Sequence, residues 1–324
     1  MKQNNPKSTP KADNGYSSFI MVRFSEIAIK GSKTRKWLTK RLVTHIEYVL
    51  RLYGISDHKV INDYSRIFVE SSQLLEIEKF IAHLVPGVSS LSIVRSCSSN
   101  LEEIKECVKE FFFQNFKEGM SFAVRARRTG KHPFSSVELG AIIGEFIIEN
   151  NANKKLKVNL DKPEYTLQVE VRDNSAYIFD RISKGMGGLP VESQGRVLVI
   201  ASNEDEDISN ILHIYKRGGI TYVYSIENQE TINDKNIKLL HKMLDLQPKL
   251  KNKENRLFLL ANEFEISQML DFYKENQCLA ITMTKSIFNK ISSEIPTSIP
   301  IFVPHLAVDV DKHEIDNFLS VLTN

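Results

Sequence analysis

Residues 122–145 read FAVRARRTGKHPFSSVELGAIIGE, and this stretch decides how the chain around it folds. Apolar and basic residues alternate over Phe122–Arg127, which is the two-residue period of a half-buried strand. Ser135 and Glu138 have the capping-box spacing that begins a helix, and the residues after them continue the helix to about Asn150. The sequence therefore predicts a strand that a short turn joins to the N-terminus of a helix.

The turn between this strand and this helix collects positive charge around Gly130. Its basic side chains are Arg125, Arg127, Arg128, Lys131 and His132. The first N–H groups of a helix lack partners within the helix and carry partial positive charge, so cations placed beside them favour the arrival of an anion. The sequence therefore predicts an anion-binding site at this turn.

The composition is that of a folded protein with two or three domains. The chain has 324 residues, of which 42% are hydrophobic and 26% charged. Its net charge is only +3, so a nucleic-acid-binding surface would have to be local. The three cysteines, Cys97, Cys107 and Cys278, have neither a zinc spacing nor a disulfide framework, so we expect no metal site and a reducing compartment.

No segment has the pattern of a membrane or export signal. No apolar run reaches the roughly 18 residues that span a bilayer. Residues 1–18 are polar and lack the apolar core of a signal peptide. We therefore expect a cytoplasmic protein without membrane contact, and we interpret residues 1–18 as a disordered tail.

Two α+β units are predicted before residue 184. The order of elements over residues 19–97 is strand, helix, strand, strand, helix, strand, which is the ferredoxin-like split βαβ unit. Residues 98–183 form the later of these two α+β regions, and this region contains the basic turn.

The first helix of the ferredoxin-like unit, within residues 33–54, has an apolar face that includes Trp37 and His45. Its first turns carry Lys33, Arg35, Lys36, Lys40 and Arg41. Cations are disfavoured at a helix N-terminus, so this placement indicates either an external anion or simply a solvated face.

The remainder of the chain changes pattern. Residues 184–195 are rich in glycine and are interpreted as a linker, because the strand-then-helix context of a phosphate loop is absent. Strands alternate with helices over residues 196–324, which predicts a doubly wound parallel α/β sheet.

Four segments in this order resemble the tRNA 4-thiouridine synthetase family, the ThiI-type tRNA sulfurtransferases. RFSEIAIKGSKTR at residues 23–35 is similar to the family's RYGEIALKGKNR, and residues 122–145 resemble its THUMP domain. KGMGGLPV at 184–191 and PHLAVDVDKHEI at 304–315 resemble its linker and closing segment. The resemblance implies a multidomain α+β and α/β fold: a ferredoxin-like domain, a THUMP domain, then an α/β PP-loop domain of the adenine nucleotide alpha hydrolase-like type.

The resemblance also implies that tRNA is the partner and that RNA phosphate is the anion. We expect the acceptor end to contact Arg125, Arg127, Arg128, Lys131 and His132, with Lys30, Lys33 and Arg35 as a second group. Phe134 either stacks on a base or lies buried under the helix, and the hydrophobic staple pattern favours burial.

The third domain departs from the family where ATP would bind. The family's SGGxDSPVA wraps ATP phosphates with glycine N–H groups, whereas this chain has Ser202, Asn203, Glu204, Asp205, Glu206 and Asp207. A carboxylate about 4–6 Å from a phosphate costs a few kcal/mol. Acidic residues suit a helix start, so we interpret this stretch as a degenerate ATP loop whose carboxylates are solvated. The family's sulfur-handling cysteine has no counterpart, and Cys278 begins an apolar strand.

The sequence therefore predicts a tRNA-binding member of the family without catalytic residues or cofactor. The alternative is an active, ATP- and magnesium-dependent sulfurtransferase that makes 4-thiouridine, with a protein partner supplying sulfur or catalytic chemistry. A third alternative, an interaction protein that no longer binds RNA, is disfavoured by the basic turn. The family also implies a homodimer.

Overall fold

The computed structural model describes residues 17–24, 26–63, 66–201, 205–225, 235–248, 258–260, 265–304 and 312–323. The chain folds into two compact units. The first contains Met1–Met21, Val69–Leu74 and Ser92–Ile182, and the second contains Val22–Phe68, Leu75–Leu91 and Ser183–Asn324. Most of the predicted tail, residues 1–18, lies outside the described residues, and the predicted domain bounds remain predictions. None of the described helices is both long and apolar enough to cross a membrane.

The predicted ferredoxin-like order of elements is confirmed. The elements are β1 (Ser17–Arg23), α1 (Ser32–Leu52), β2 (Lys59–Asp63), β3 (Arg66–Glu70), α2 (Leu74–Leu84) and β4 (Ser90–Ser98). The strands lie in the order β2-β3-β1-β4. This arrangement leaves one edge of β4 open to pairing with later strands.

The elements that carry the basic turn extend the same sheet. They are α3 (Leu101–Phe112), β5 (Ser121–Thr129), α4 (Ser136–Asn150), β6 (Lys157–Val158), β7 (Tyr165–Arg172), β8 (Ser175–Phe179) and β9 (Ser183–Lys184). The order continues β4-β8-β7-β5-β6, with β5 parallel to β7 and β7 antiparallel to β8. β9 pairs with the beginning of β4, where Ser90 lies opposite Lys184. The residues predicted to form the linker therefore begin inside a strand.

The core of this region lies between the sheet and the pair α3 and α4. Phe122, Ile143 and Val169 are all at most 1% exposed within it. Cys97 and Cys107, which no sequence spacing pairs, meet in the same core, where their thiols are hydrogen-bonded and free of disulfide. That contact and burial raise the pKa of Cys107, so both cysteines act here as packing residues.

The last part of the chain confirms the predicted parallel α/β sheet. Its elements are β10 (Arg196–Ala201), α5 (Asp205–Lys216), β11 (Ile220–Ser225), α6 (Lys235–Asp245), β12 (Phe258–Leu260), α7 (Ile266–Glu275), β13 (Ala280–Met283), α8 (Lys285–Ile291), β14 (Ile301–Phe302) and α9 (Lys312–Leu322). The strand order is β12-β11-β10-β13-β14, and every pairing is parallel.

Helices cover both faces of this second sheet. The Tyr222 ring lies 6.2 Å from the Phe272 ring of α7, so Tyr222 points to the α7 face. Thr221 is next along the strand and points to the opposite face, where its side chain and backbone bond Gln247 after α6. The alternation shows that the sheet is doubly wound, as predicted.

A seam within the second unit joins α1 and α2 to this α/β layer, and we call it the α1 seam. His45 Nε2 lies 3.0 Å from the carbonyl oxygen of Leu246. The Tyr215 hydroxyl donates to the carbonyl oxygen of Leu84 at 2.8 Å and lies 3.2 Å from His45 Nε2. The Tyr48 hydroxyl donates to the carbonyl oxygen of Asp245 at 2.7 Å. Because these groups are mostly buried, the polar contacts fix the register of the helices.

The orientation of α1 differs from the prediction at one residue. Leu38, Leu42, His45 and Val49 are buried as expected, but the Trp37 side chain is 44% exposed. The apolar stripe passes through Leu38, and the adjacent position is rotated about 100° away from it. The interpretation of Trp37 as part of the apolar face was therefore wrong.

Candidate nucleic-acid interface

The turn after β5 depends on a glycine. Gly130 has φ +97°, and a Cβ atom there would lie 2.9 Å from the Asp173 carboxylate. Most other residues would be strained in this conformation, and the carboxylate would have to move. The Asp173 N–H donates to the carbonyl oxygen of Thr129 at 3.2 Å, which closes the turn against the β7–β8 hairpin. The turn is therefore rigid where the basic side chains leave the strand.

β5 places its arginines on both faces of the sheet edge. Arg125 and Arg127 occupy alternate positions and share one face, and Arg128 points the other way. These arginines and Lys131 are all exposed. Within the described part of the chain, none of them is in an ion pair, so their charge is available to an external anion.

Backbone carbonyl groups orient several polar side chains of the turn. Arg128 donates to the carbonyl oxygen of Gly130 at 3.0 Å, and Arg125 donates to that of Leu160. His132 Nε2 lies 3.0 Å from the carbonyl oxygen of Thr129. These bonds restrict the side chains without neutralising them, so less conformational entropy is lost when an anion binds.

The predicted capping box begins α4. Ser135 Oγ accepts from the Glu138 N–H at 3.1 Å, and the Glu138 carboxylate accepts from the Ser135 N–H at 2.7 Å. Hydrogen bonds from the Ser135 N–H and from the Ser135 hydroxyl to the Glu138 carboxylate lower the pKa of this exposed carboxyl, and the charge of Arg128 acts in the same direction. The box fixes where the helix starts relative to the basic turn.

Phe134 lies under the helix rather than on the surface. Its side chain is 7% exposed, which confirms the buried interpretation. The His132 ring stacks on Phe134 with centroids 5.6 Å apart and planes 14° apart. The aromatic group at the surface of this turn is therefore His132.

The second predicted group surrounds the start of α1. Arg35 Nη2 donates to the carbonyl oxygens of Ala28 at 2.7 Å and Lys30 at 3.1 Å. Its guanidinium therefore holds the loop before the helix. Lys30 and Lys33 are exposed, so they are the members of this group that can meet an anion.

The acidic stretch at the start of α5 differs from its prediction at one residue. Ser202, Asn203 and Glu204 lie outside the described residues, and Asp205 is the first residue of α5. Glu206 is exposed, but the Asp207 side chain is 0% exposed. The expectation of a fully solvated acidic helix start was wrong for Asp207, because α5 packs against β10 and β11 and Asp207 is buried together with Ile208 and Ile211.

Buried polar groups lie near this edge of the sheet. Asn210, one turn after Asp207, is 0% exposed. Ser225 ends β11, Thr282 lies near the end of β13, and they are at most 1% exposed. Ligands of α/β sheets bind outside the carboxyl ends of the strands, so these side chains lie near the position that a nucleotide would take.

Cys278 is buried next to a strand of the α/β sheet. It is 6% exposed just before β13. Burial raises the pKa of its thiol to about 12, although nearby Arg196 acts in the opposite direction. A thiol with this pKa is almost entirely protonated at neutral pH and is a poor nucleophile.

Comparison with known proteins identifies the family. Residues 98–180 match the THUMP domain and residues 19–92 match the ThiI ferredoxin-like domain. The probable tRNA sulfurtransferase of Mycoplasmopsis synoviae is 30% identical over 283 residues, which cover 85% of this chain and 69% of that protein. The chain belongs to the tRNA sulfurtransferase family.

Other tRNA sulfurtransferase relatives match a smaller part of the chain. The probable enzyme of Methanosarcina acetivorans is 33% identical over 213 residues, covering 65% of this chain and 51% of the relative. The probable enzyme of Aeropyrum pernix is 37% identical over 186 residues, which cover 56% of this chain and 46% of the relative. This chain thus spans about half the length of these relatives.

Two solved structures share the fold. The protein PH1313 from Pyrococcus horikoshii has a TM-score of 0.75 at 23% identity, covering 95% of this chain and 100% of that one. A 4-thiouridine synthetase, solved as an RNA complex with bound ATP, has a TM-score of 0.69 at 20% identity, covering 95% and 87%. These likenesses confirm the fold predicted from the sequence.

Proposed function

We propose that this chain is a tRNA-binding member of its family and that its basic turn contacts the acceptor end of tRNA. The observation that carries the proposal is the group of exposed, unneutralised cations on the rigid turn between β5 and α4. The side chains nearest the anion would be Arg125, Arg127, Arg128, Lys131 and the half-buried His132, with Lys30 and Lys33 at a second position.

Several features favour an RNA backbone as the anion. The net charge of the chain is only +3, so the unneutralised cations concentrate positive charge locally. The solved relative that was crystallised with RNA has the same fold. Phosphate contacts account for most of the affinity of such surfaces, and helical RNA is recognised mainly through shape and backbone. Arg35, which is committed to the loop before α1, is proposed to position Lys30.

Binding is tested by the fluorescence anisotropy of a labelled tRNA acceptor minihelix at several salt concentrations. We expect binding at low salt, and we expect Arg127→Ala and Lys131→Ala each to lower the slope of log K against log salt by about one. Lys290→Ala, an exposed lysine on α8, is the matched control and should leave the slope unchanged. Absence of detectable binding at low salt would overturn the proposal.

The proposal includes loss of the ATP site. A triphosphate at the start of α5 would approach the exposed carboxylate of Glu206 and the buried carboxylate of Asp207. Each such pair is repulsive by a few kcal/mol at an effective dielectric constant of about 20. The residues of this helix start therefore do not fit a triphosphate, and the buried Cys278 does not fit a sulfur carrier.

The rival function is ATP-dependent synthesis of 4-thiouridine, which membership of the family favours. It is tested by pyrophosphate release from the purified protein with ATP, with and without RNA. We expect no RNA-stimulated release. Stimulated release, or restoration of 4-thiouridine in tRNA from a deletion strain by the protein alone, would establish the rival and refute loss of the site.

A further inference from the structure

The exposed face of α1 combines an aromatic ring with several cations. Its members are Lys33, Lys36, Trp37, Lys40 and Arg41, which we call the α1 stripe. Their positions follow the pattern i, i+3, i+4, i+7 and i+8, which is the spacing of one helix face. All except the half-buried Arg41 are exposed. Within the described residues, no ion pair involves Lys33, Lys36 or Lys40.

Arg41 contacts the Trp37 ring, and Glu192 of the same unit binds Arg41. The Arg41 guanidinium lies 4.7 Å from the centroid of the indole ring, a cation–π contact. The Glu192 carboxylate accepts from Arg41 Nη1 at 2.5 Å and so fixes the guanidinium. Glu192 has φ +65°, so its backbone adopts a conformation that is costly for a side-chain-bearing residue. The indole is therefore packed on one side and still 44% exposed.

A flat ring flanked by cations has the chemistry of a platform for single-stranded nucleic acid. Unpaired bases stack on aromatic side chains, and neighbouring lysines attract the phosphates that join them. Bases inside an A-form duplex are already stacked and cannot reach such a ring. We propose that Trp37 stacks on an unpaired base of the bound RNA, while Lys33, Lys36 and Lys40 contact the flanking phosphates. This inference rests on the proposed function, namely that the chain binds RNA.

Arg41 and Glu192 act as positioning residues in this arrangement. Arg41 occupies one side of the indole, so a base that stacks on the other side produces an Arg41–indole–base sandwich. Glu192 keeps Arg41 in place, because the carboxylate and guanidinium are both only about one quarter exposed. A pre-oriented ring loses little rotamer freedom on binding, which strengthens the stack.

The sequence provides a selective probe, since Trp37 is its only tryptophan. The experiment compares two hairpin RNAs with the same stem, one blunt and one with four unpaired nucleotides at its 3′ end. We expect the extended hairpin to quench tryptophan emission and the blunt hairpin to bind, by anisotropy of a label on its loop, without quenching.

Variants separate the ring from the charges. Trp37→Ala should weaken binding of the extended hairpin by about 5- to 100-fold and leave the blunt hairpin unaffected, while Trp37→Phe should restore part of the loss. Phe302→Ala, which removes another half-exposed aromatic ring, is the matched control. Glu192→Gln should retain binding of the blunt hairpin but reduce the advantage of the extended one, because it releases Arg41.

The outcomes distinguish this inference from the proposed function. If both hairpins bind equally and the emission of Trp37 is unchanged, the stacking platform is refuted while RNA binding by the basic turn stands. If neither hairpin binds at low salt, the proposed function itself fails. If poly-glutamate quenches the emission and the extended hairpin does not, the α1 stripe is a surface for an acidic protein and the inference is overturned.

Discussion

We expect His45 to make the stability of the second unit depend on pH. Its ring is 1% exposed in the α1 seam, and Nε2 is directed at the carbonyl oxygen of Leu246. Nδ1 is buried and has no hydrogen-bond partner in the described structure. Burial lowers the pKa of His45 to about 4 from an ordinary 6.5, and the bond to Leu246 offsets this only in part. A second proton on the imidazole ring, at Nδ1, would therefore place an N–H group without a hydrogen-bond partner in the interior.

The sign and size of the effect follow from proton linkage. The folded pKa lies below the unfolded one, so the unfolded chain binds a proton more readily between pH 6.5 and 4. The full stability is present above pH 6.5 and is lost as the pH falls. At pH 5 the unfolded state gains a factor of about 30, which is roughly 2 kcal/mol, and below pH 4 the loss approaches roughly 3.4 kcal/mol.

Urea unfolding at pH 7.5 and pH 5, followed by circular dichroism, tests this. His45→Gln retains an N–H donor for Leu246 but cannot titrate, so the acid-induced loss in the wild type should exceed that in the variant by about 2 kcal/mol. His58→Gln, which removes a half-buried histidine, is the control and should behave as the wild type does. Equal losses in the wild type and His45→Gln would refute a buried, neutral His45.

Three further predictions concern the basic turn and the thiol. Ser135→Ala removes the cap of α4 and should lower the free energy of unfolding by about 1 kcal/mol, measured by denaturant titration. Gly130→Ala should cost about 1–3 kcal/mol because of the positive φ and the close Asp173 carboxylate, seen as a lower Tm together with weaker minihelix binding. Cys278, with a pKa of about 12, is ionised in about one molecule in ten thousand at pH 8. Mass spectrometry should therefore show little iodoacetamide labelling of Cys278 until urea unfolds the protein. Rapid labelling of the folded protein would contradict the burial of this thiol.

Local patterns predicted the basic turn well. The alternation over Phe122–Arg127 gives β5, and the spacing of Ser135 and Glu138 gives the cap of α4. These features depend on residues a few positions apart, so the sequence contains the interactions that decide them. The burial of Phe134 follows from the same local pattern.

Features that depend on distant residues could not be predicted in the same way. Leu38 and Trp37 are adjacent apolar residues, and only the packing of α1 decides which of them is buried. Asp207 is an acidic residue that follows other acids, so nothing local indicates that it is buried. Arg35 resembles its basic neighbours in sequence, yet its guanidinium donates hydrogen bonds to two carbonyl oxygens of the preceding loop.

The α1 seam bears on how the last third of the chain evolves. Tyr48 and His45 of α1 form hydrogen bonds with the carbonyl groups of Asp245 and Leu246. The Tyr215 hydroxyl donates to the carbonyl oxygen of Leu84 at the end of α2. If nucleotide chemistry is lost, as we propose, selection on a phosphate loop relaxes, and substitutions such as acids for glycines can accumulate there. Substitutions at the seam remain costly, because they would leave buried polar groups on α1 without partners. A lineage can therefore discard the reaction of this domain long before it can discard the domain.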